Sequence, residues 1–284
     1  MNDGIVLINK PVGLTSFAVV KKTGKNLKAK KVGHCGTLDP FATGLLVITI
    51  NNATKIARFI EAKNKEYIAT LKLGIKTDSG DSTGKVIKRQ KPPKFEIIQL
   101  NDVLKSFLGK QLQIPPMYSA IKVDGQKLYE LARKGKTIEL TPRPIEIFEI
   151  KLLKYRGNNL TFSVKCSKGT YIRSLGEDLA KRLGCVGHLS ALERTAIGEL
   201  KLDDAKKMDS IKETDIIPIA EALKSMSKYI VPKDKYSLIK NGSTISLAPD
   251  YDDEFILMID EQSKPLAIYE KSGEDYRCLR GLTI

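Results

Sequence analysis

The chain has 284 residues, enough for about two domains, and 42% of them are hydrophobic against 29% charged, a balance that excludes wholesale disorder and collagen-like sequence. Its 48 Lys and Arg stand against 33 Asp and Glu for a net charge of +15, too basic for an enzyme of a small neutral metabolite and suited to a polyanionic partner. The longest apolar runs, such as Leu45 to Ile48, fall far short of the ~20 residues a membrane helix needs, so no membrane partner is expected.

In chain order, residues 4 to 9 predict a strand. Pro11, Gly13 and the pair Thr15 and Ser16 then make a turn and an N-cap for a helix reaching about Leu27. The stretch GHCGTLDPFATG (33–44) holds three glycines and one proline in twelve residues and reads as a loop. A buried strand, LLVITI (45–50), and a short helix from Ala53 to Ile60 follow. KEYIATLKLG (65–74) alternates as a strand, TDSGDSTG (77–84) is a turn, and KVIK resumes the sheet. After Pro92 and Pro93 a helix runs from about Phe95 to Leu108, closed by Gly109. Residues 113–135 read as extended chain and then a basic helix ending at Gly135, and two strands follow near 145–155 and 160–167. GTYIRSLGEDLAKRLG (169–184) is a helix with a Thr170 cap and a terminal Gly184. Residues 201–228 read as polar and helical. The last 56, punctuated by Pro232, Gly242, Pro249, Pro265 and Gly273, read as a small all-β unit. The expected domains are therefore 1–228 and 229–284.

Charge divides the same way. Residues 1–228 hold 41 Lys and Arg against 23 Asp and Glu, or +18, and the remainder hold 7 against 10, or −3. Six lysines and no acid fall in KKTGKNLKAKK (21–31), just before the glycine-rich loop, as a phosphate-contacting face would require. Asp3 and the early break at Pro11 argue against an export signal. Four scattered cysteines, Cys35, Cys166, Cys185 and Cys278, fit reduced thiols in a cytoplasmic setting.

The loop offers one carboxylate, Asp39, stiffened by Pro40, followed by a rigid strand and preceded by cations. A neighbouring Arg is expected to lower its pKa and keep it ionised, which suits a nucleophile or base. Neither His34 with Cys35 nor Cys185 with His188 finds a second ligand pair, so no metal is expected. The 77–84 turn lacks the Glu and the length of a calcium loop, and no phosphate-loop or dinucleotide motif is present, so no cofactor is expected.

GHCGTLDPFATGLL (33–46) resembles the catalytic signature of the bacterial tRNA pseudouridine synthase B family. NKPVGLTS (9–16), KEYIATLKLGIKTDSGDSTGKV (65–86), IPPMYSAIKVDGQKLYELARKG (114–135) and CSKGTYIRSLGEDLAKRLGC (166–185) resemble that family's further blocks in order, over about residues 4–200. The resemblance implies an α/β (α+β) fold with a mostly antiparallel central sheet, an insertion at about 110–143 that closes over the tRNA T-loop, and a C-terminal PUA-like β-barrel. It implies isomerisation of uridine 55 in the T-loop to pseudouridine, with base flipping and without a cofactor. By the same resemblance Asp39 is the nucleophile, Tyr67 stacks on the target uracil with a share in proton removal left open, and Arg173 pairs with Asp39. His34 enters the RNA loop in place of the extruded nucleotide, Tyr171 and Leu192 line the uracil pocket, Asp81 matches a polar residue of the site, and Lys10 supports the first motif. Asp39 has three routes open to it: addition to uracil C6, attack at ribose C1′, or removal of a C2′ proton. The expected partner is tRNA, at its T-arm and elbow, met by a stand-alone monomer without a guide RNA. Two other readings compete: an RNA-folding chaperone that opens the tRNA elbow, and a related synthase for another RNA site.

Overall fold

Alternating and fully apolar runs lay down the strands of the computed structural model, which describes residues 3–119, 122–123, 125–128, 131, 138–248 and 250–282. The first are β1 (Gly4–Lys10), β2 (Val32–His34), β3 (Thr43–Ile50) and β4 (Lys65–Leu73). A short ribbon, β5 (Ile75–Thr77) with β6 (Val86–Arg89), precedes β7 (Gly109–Gln113) and the two-residue pair β8 (Lys122–Val123) and β9 (Gln126–Lys127). The long β10 (Arg143–Arg156), β11 (Asn159–Cys166) and β12 (Gly187–Ile197) complete the central part. Among them run helices α1 (Ser16–Asn26), α2 (Ala57–Glu61), α3 (Ile97–Lys105) and α4 (Ile172–Arg182). Short pieces β13 (Leu200–Lys201), β14 (Lys206–Lys207) and β15 (Ile217–Pro218) follow.

The main sheet runs β14-β1-β3-β12-β4-β11-β10-β7, with β2, β13 and β15 paired alongside β3, β12 and β1. Among the described residues of this sheet only β14–β1 and β3–β12 are parallel, so it is mostly antiparallel within a mixed α/β fold, as expected. Period-two burial along β4 turns Tyr67, Ala69, Leu71 and Leu73 to one face. Val19 and Val20 of α1, Leu100 and Leu104 of α3 and Leu175 and Leu179 of α4 share one core with that face. In α1 the buried positions 16, 19, 20, 23 and 24 recur at helical spacing, and the Thr15 hydroxyl accepts from the Ala18 amide as the expected cap.

The chain from Ser227 onward forms a second sheet, β16 (Ser227–Ile230), β17 (Ile245–Ser246), β18 (Phe255–Ile259), β19 (Pro265–Ser272) and β20 (Asp275–Gly281), ordered β16-β18-β19-β20-β17. Its edge strands β16 and β17 do not pair with each other among the described residues, so this PUA-like sheet is curled and unclosed. Its Leu257, Ile259, Ile268 and Leu282 share a core with Ile5, Leu7, Leu45 and Val47, the opposite faces of β1 and β3.

Three local readings are corrected. Residues 201–228 are largely strand fragments and 3-10 turns with one four-residue helix, Ile219–Ala222, because Ile211, Ile216, Ile217 and Leu223 pack onto the flank of the main sheet rather than along one helix face. KVIK does not resume the sheet: β6 pairs only with β5. Helix α4 is entered from Tyr171, not Thr170, whose hydroxyl donates to the Ser167 carbonyl instead. Most of the basic helix expected before Gly135 lies outside the described residues. Among the described residues no helix is long and apolar enough to cross a membrane.

Candidate functional site

The glycine-rich stretch folds as a tight excursion between β2 and β3, because Gly36 at φ +93° and Gly44 at φ +97° reach a left-handed region that side chains rarely enter. At Gly44 the fit is absolute: a Cβ there would meet the Arg194 carbonyl oxygen at 2.4 Å. Three side chains from elsewhere fasten the excursion. Ser16, the first residue of α1, grips both sides of the Leu38 residue, its Oγ donating to the carbonyl at 2.9 Å and accepting from the amide at 2.8 Å. Lys10 is fully buried and its Nζ donates to the carbonyls of Leu14 at 2.7 Å, Pro11 at 3.0 Å and Pro40 at 3.4 Å. Arg194, 1% exposed, donates to the Leu45, Gly36 and Thr37 carbonyls at 2.8, 2.9 and 3.5 Å. Asp39 thus sits on a loop anchored on both sides.

Arg173, the second residue of α4, meets Asp39 with two prongs: Nε lies 2.9 Å from Oδ2, and Nη2 donates to Oδ1 at 3.1 Å. Its remaining donors go to the Tyr118 carbonyl at 2.7 Å and the Ser79 carbonyl at 3.0 Å. Asp81 stands 3.6 Å from Nη1, and its other oxygen accepts from Ser79 Oγ, the Thr83 amide and Thr83 Oγ1 at 2.9, 2.9 and 2.6 Å. Asp81 is 4% exposed and so braces the arginine from within the 77–84 turn.

The electrostatics correct one expectation. Desolvation pushes the Asp39 carboxyl up from the ordinary carboxylate range; Arg173 pulls it back, Asp81 adds to the rise, and Lys10 helps lower it. Burial therefore outweighs the arginine, although a third of the Asp39 side chain remains exposed. Burial likewise lowers Lys10 to about 8, Asp39 opposing and Arg194 assisting.

Tyr67 lies opposite Arg194 on the β4–β12 ladder and opposite Val164 on β11. Burial pushes its phenol up, while the charge of Arg194 and a side-chain hydrogen bond to it pull down, and Asp39 contributes from further off. Leu192 shares this face opposite Ala69. A register shift between Leu189 and Ala191 makes that possible: it turns 187 and 189, then 192 and 194, to the same side. Tyr171 enters α4 with its backbone amide and carbonyl both held by the Gln113 side chain, at 2.8 and 3.1 Å, and burial, opposed mainly by hydrogen bonding, raises its phenol. His34 ends β2; burial lowers its pKa, and its Nδ1 is buried without a hydrogen-bond partner among the described residues.

Asp39, Arg173, Asp81 and Lys10 are thus brought into one charged cluster, with Tyr67, Tyr171 and Leu192 beside it and His34 at the far end of the same excursion. Sequence reasoning missed Ser16, Gln113 and Arg194. The signal for Arg194 was available, since an arginine two residues after Leu192 falls on the same inward face of a strand, where an unpaired charge is costly. Among the described residues, no group of three or more His, Cys, Asp and Glu side chains could hold a metal ion.

Residues 24–172 match the model of the TruB family pseudouridylate synthase N-terminal domain. Over 239 residues, 84% of this chain and 79% of the relative, the sequence is 48% identical to tRNA pseudouridine synthase B of Francisella philomiragia subsp. philomiragia. It is 46% identical over the same shares to that of Francisella tularensis subsp. tularensis. Among solved structures, the fold is similar to a chain of an H/ACA RNP bound to a substrate RNA containing 2′-deoxyuridine, with TM-score 0.74, 21% identity and coverage of 99% of this chain and 85% of that one. A chain of a Cbf5-Nop10-Gar1 complex matches with TM-score 0.74 and 22% identity over the same shares.

Proposed function

This chain belongs to the TruB family of pseudouridylate synthases, and from that premise we propose that it isomerises uridine 55 in the T-loop of tRNA to pseudouridine, with Asp39 as its nucleophile. The reaction breaks the bond from N1 to ribose C1′ and joins C5 to the same carbon, releasing the C5 hydrogen to solvent while N1 takes up a proton. The two-pronged contact between Asp39 and Arg173 carries the reading of the site. Each of the three routes open to Asp39, addition at C6, attack at C1′ or removal of the C2′ proton, needs an ionised carboxylate held still beside base and sugar. Arg173 offsets the desolvation that opposes ionisation, and Ser16, Lys10 and Arg194 keep the loop from moving away.

The target uracil must leave its stack, at a cost of a few kcal/mol. Tyr67 stacks on the flipped base, Leu192 and Tyr171 line its pocket, and His34, neutral at physiological pH because burial lowers its pKa, fills the space the nucleotide leaves. The segment at about 110–143 closes over the T-loop, and the chain acts in the cytoplasm as a monomer on the T-arm and elbow of tRNA, without a guide RNA. Residues 1–228 form the catalytic domain and 229–284 the PUA-like one.

Tritium release from tRNA transcript labelled with [5-³H]uridine tests this, with wild type compared with Asp39→Asn and with a transcript carrying cytidine at the target. Release by wild type alone, from the uridine transcript alone, is the expected result. Tight binding without release would overturn the reading in favour of an RNA-folding chaperone or another RNA site.

A further inference from the structure

Arg194, 1% exposed, is after Lys10 the most deeply buried cation beside the site, and its guanidinium makes no ion pair with a carboxylate among the described residues. Its donors are spent on main-chain carbonyls: Nε on Leu45 at the start of β3, Nη2 on Gly36 and Nη1 on Thr37 in the excursion that carries Asp39. Taking a cation out of water for three carbonyls is expensive, and an apolar residue of the same volume would serve the core at less cost. The position also lies directly across the ladder from Tyr67. One planar fork therefore grips the carboxylate loop from the strand position that faces the aromatic.

We propose that Arg194 is a positioning residue for the isomerisation, setting the Asp39 loop through the Gly36, Thr37 and Leu45 carbonyls and backing the Tyr67 ring from directly across the β4–β12 ladder. The inference rests on the functional reading above. It assigns no contact with RNA to Arg194, which is 1% exposed, so the residue acts on turnover and not on capture of the tRNA. Its charge opposes the upward push of burial on the Tyr67 phenol. A lysine at 194 retains a positive charge but carries its three donors on one nitrogen, whereas the guanidinium reaches Leu45 from Nε and Gly36 from Nη2, at different points of a rigid fork.

The test measures single-turnover rate, tRNA dissociation constant and thermal midpoint for wild type, Arg194→Met, Arg194→Lys, Gly36→Ala and Tyr67→Phe, together with the double variant of Arg194→Lys and Tyr67→Phe. Positioning predicts that both Arg194 variants lose at least 30-fold in rate while the dissociation constant stays within threefold, and that Arg194→Lys fails to restore the rate. Gly36→Ala guards against misfolding of the Arg194 variants, because it keeps the buried cation and puts a Cβ 3.4 Å from Nη1 on a backbone at φ +93°; it should show the same split. The double variant should lose less than the product of its two single losses, since both act on one ring. A rate within threefold of wild type in Arg194→Lys or Gly36→Ala, a parallel loss of rate and binding, or fully multiplicative losses would overturn the proposal. A wild type that releases no tritium from tRNA would instead sink the functional reading.

Discussion

Asp39 has a guanidinium on one side and a low-dielectric floor on the other, and the two act in opposite directions on its proton. Burial wins, so the acid limb of the rate profile is expected above the ordinary carboxylate range. Asp81 adds to that rise. Removing its charge in Asp81→Asn relieves the repulsion, lets Asp39 lose its proton more easily and should move the acid limb to lower pH, while the slackened Arg173 lowers the plateau; single-turnover rates across pH read both. Stability follows the same shift with its own sign. A carboxyl whose folded pKa is raised stabilises the fold in its neutral form, fully below the unfolded pKa, and loses that contribution as pH rises through the folded value. At neutral pH wild type bears this cost and Asp39→Asn does not. Arg173 still keeps the Ser79 and Tyr118 carbonyls and Asp81, so Asp39→Asn should melt no lower than wild type in scanning calorimetry. Asp39 was legible in the sequence because a lone acid in a rigid, cation-flanked glycine loop is unusual. The direction of its pKa was not, because that depends on how much water the folded cleft excludes.

Among the elements, α1 does two jobs with opposite faces. Its buried face ends in Ser16, which grips the residue before Asp39; Ser16→Ala leaves an amide and a carbonyl of Leu38 without partners, at about 1–3 kcal/mol each. That variant should unfold at lower denaturant and turn over more slowly with unchanged tRNA binding, as chemical denaturation and single-turnover kinetics would read. Its exposed face carries Lys21 and Lys25, with Lys28 just beyond its end, while neighbouring Lys22 is paired with Asp209 at 2.5 Å. Changing the three lysines to Gln should cut the slope of log affinity against log salt by roughly 2–3, if each contacts a phosphate, and leave the bound-state rate intact. The helix, its Thr15 cap and the basic run were readable from periodicity. The grip on Leu38 was not, since 22 residues separate Ser16 from its partner. The Leu189 to Ala191 register shift was equally hidden: an extra residue in a strand has no signature of its own, and Leu189 and Leu192, which both face inward, fall in different registers of the sequence.

At the scale of the whole molecule, the second sheet covers the back of the first. Cutting the chain after residue 226 would uncover Ile5, Leu7, Leu45 and Val47, each worth about 1.5–3 kcal/mol when buried. We expect residues 1–226 alone to aggregate or to melt well below the full chain, measured by light scattering and circular dichroism; an equally stable fragment would show the two units to be independent. The acidic C-terminal part thus has an apolar role in the fold beside any contact with RNA. By itself the sequence determined the strand and helix runs, the basic front part and the family, because these rest on local periodicity, composition and motifs carried by adjacent residues. Tertiary structure alone decided that Ser16, Lys10 and Arg194 hold the Asp39 loop, that residues 201–228 wrap rather than coil into helix, and that burial overrides Arg173 at Asp39. Each of these depends on which distant groups share a low-dielectric neighbourhood, a property of the packed chain and not of any segment of it.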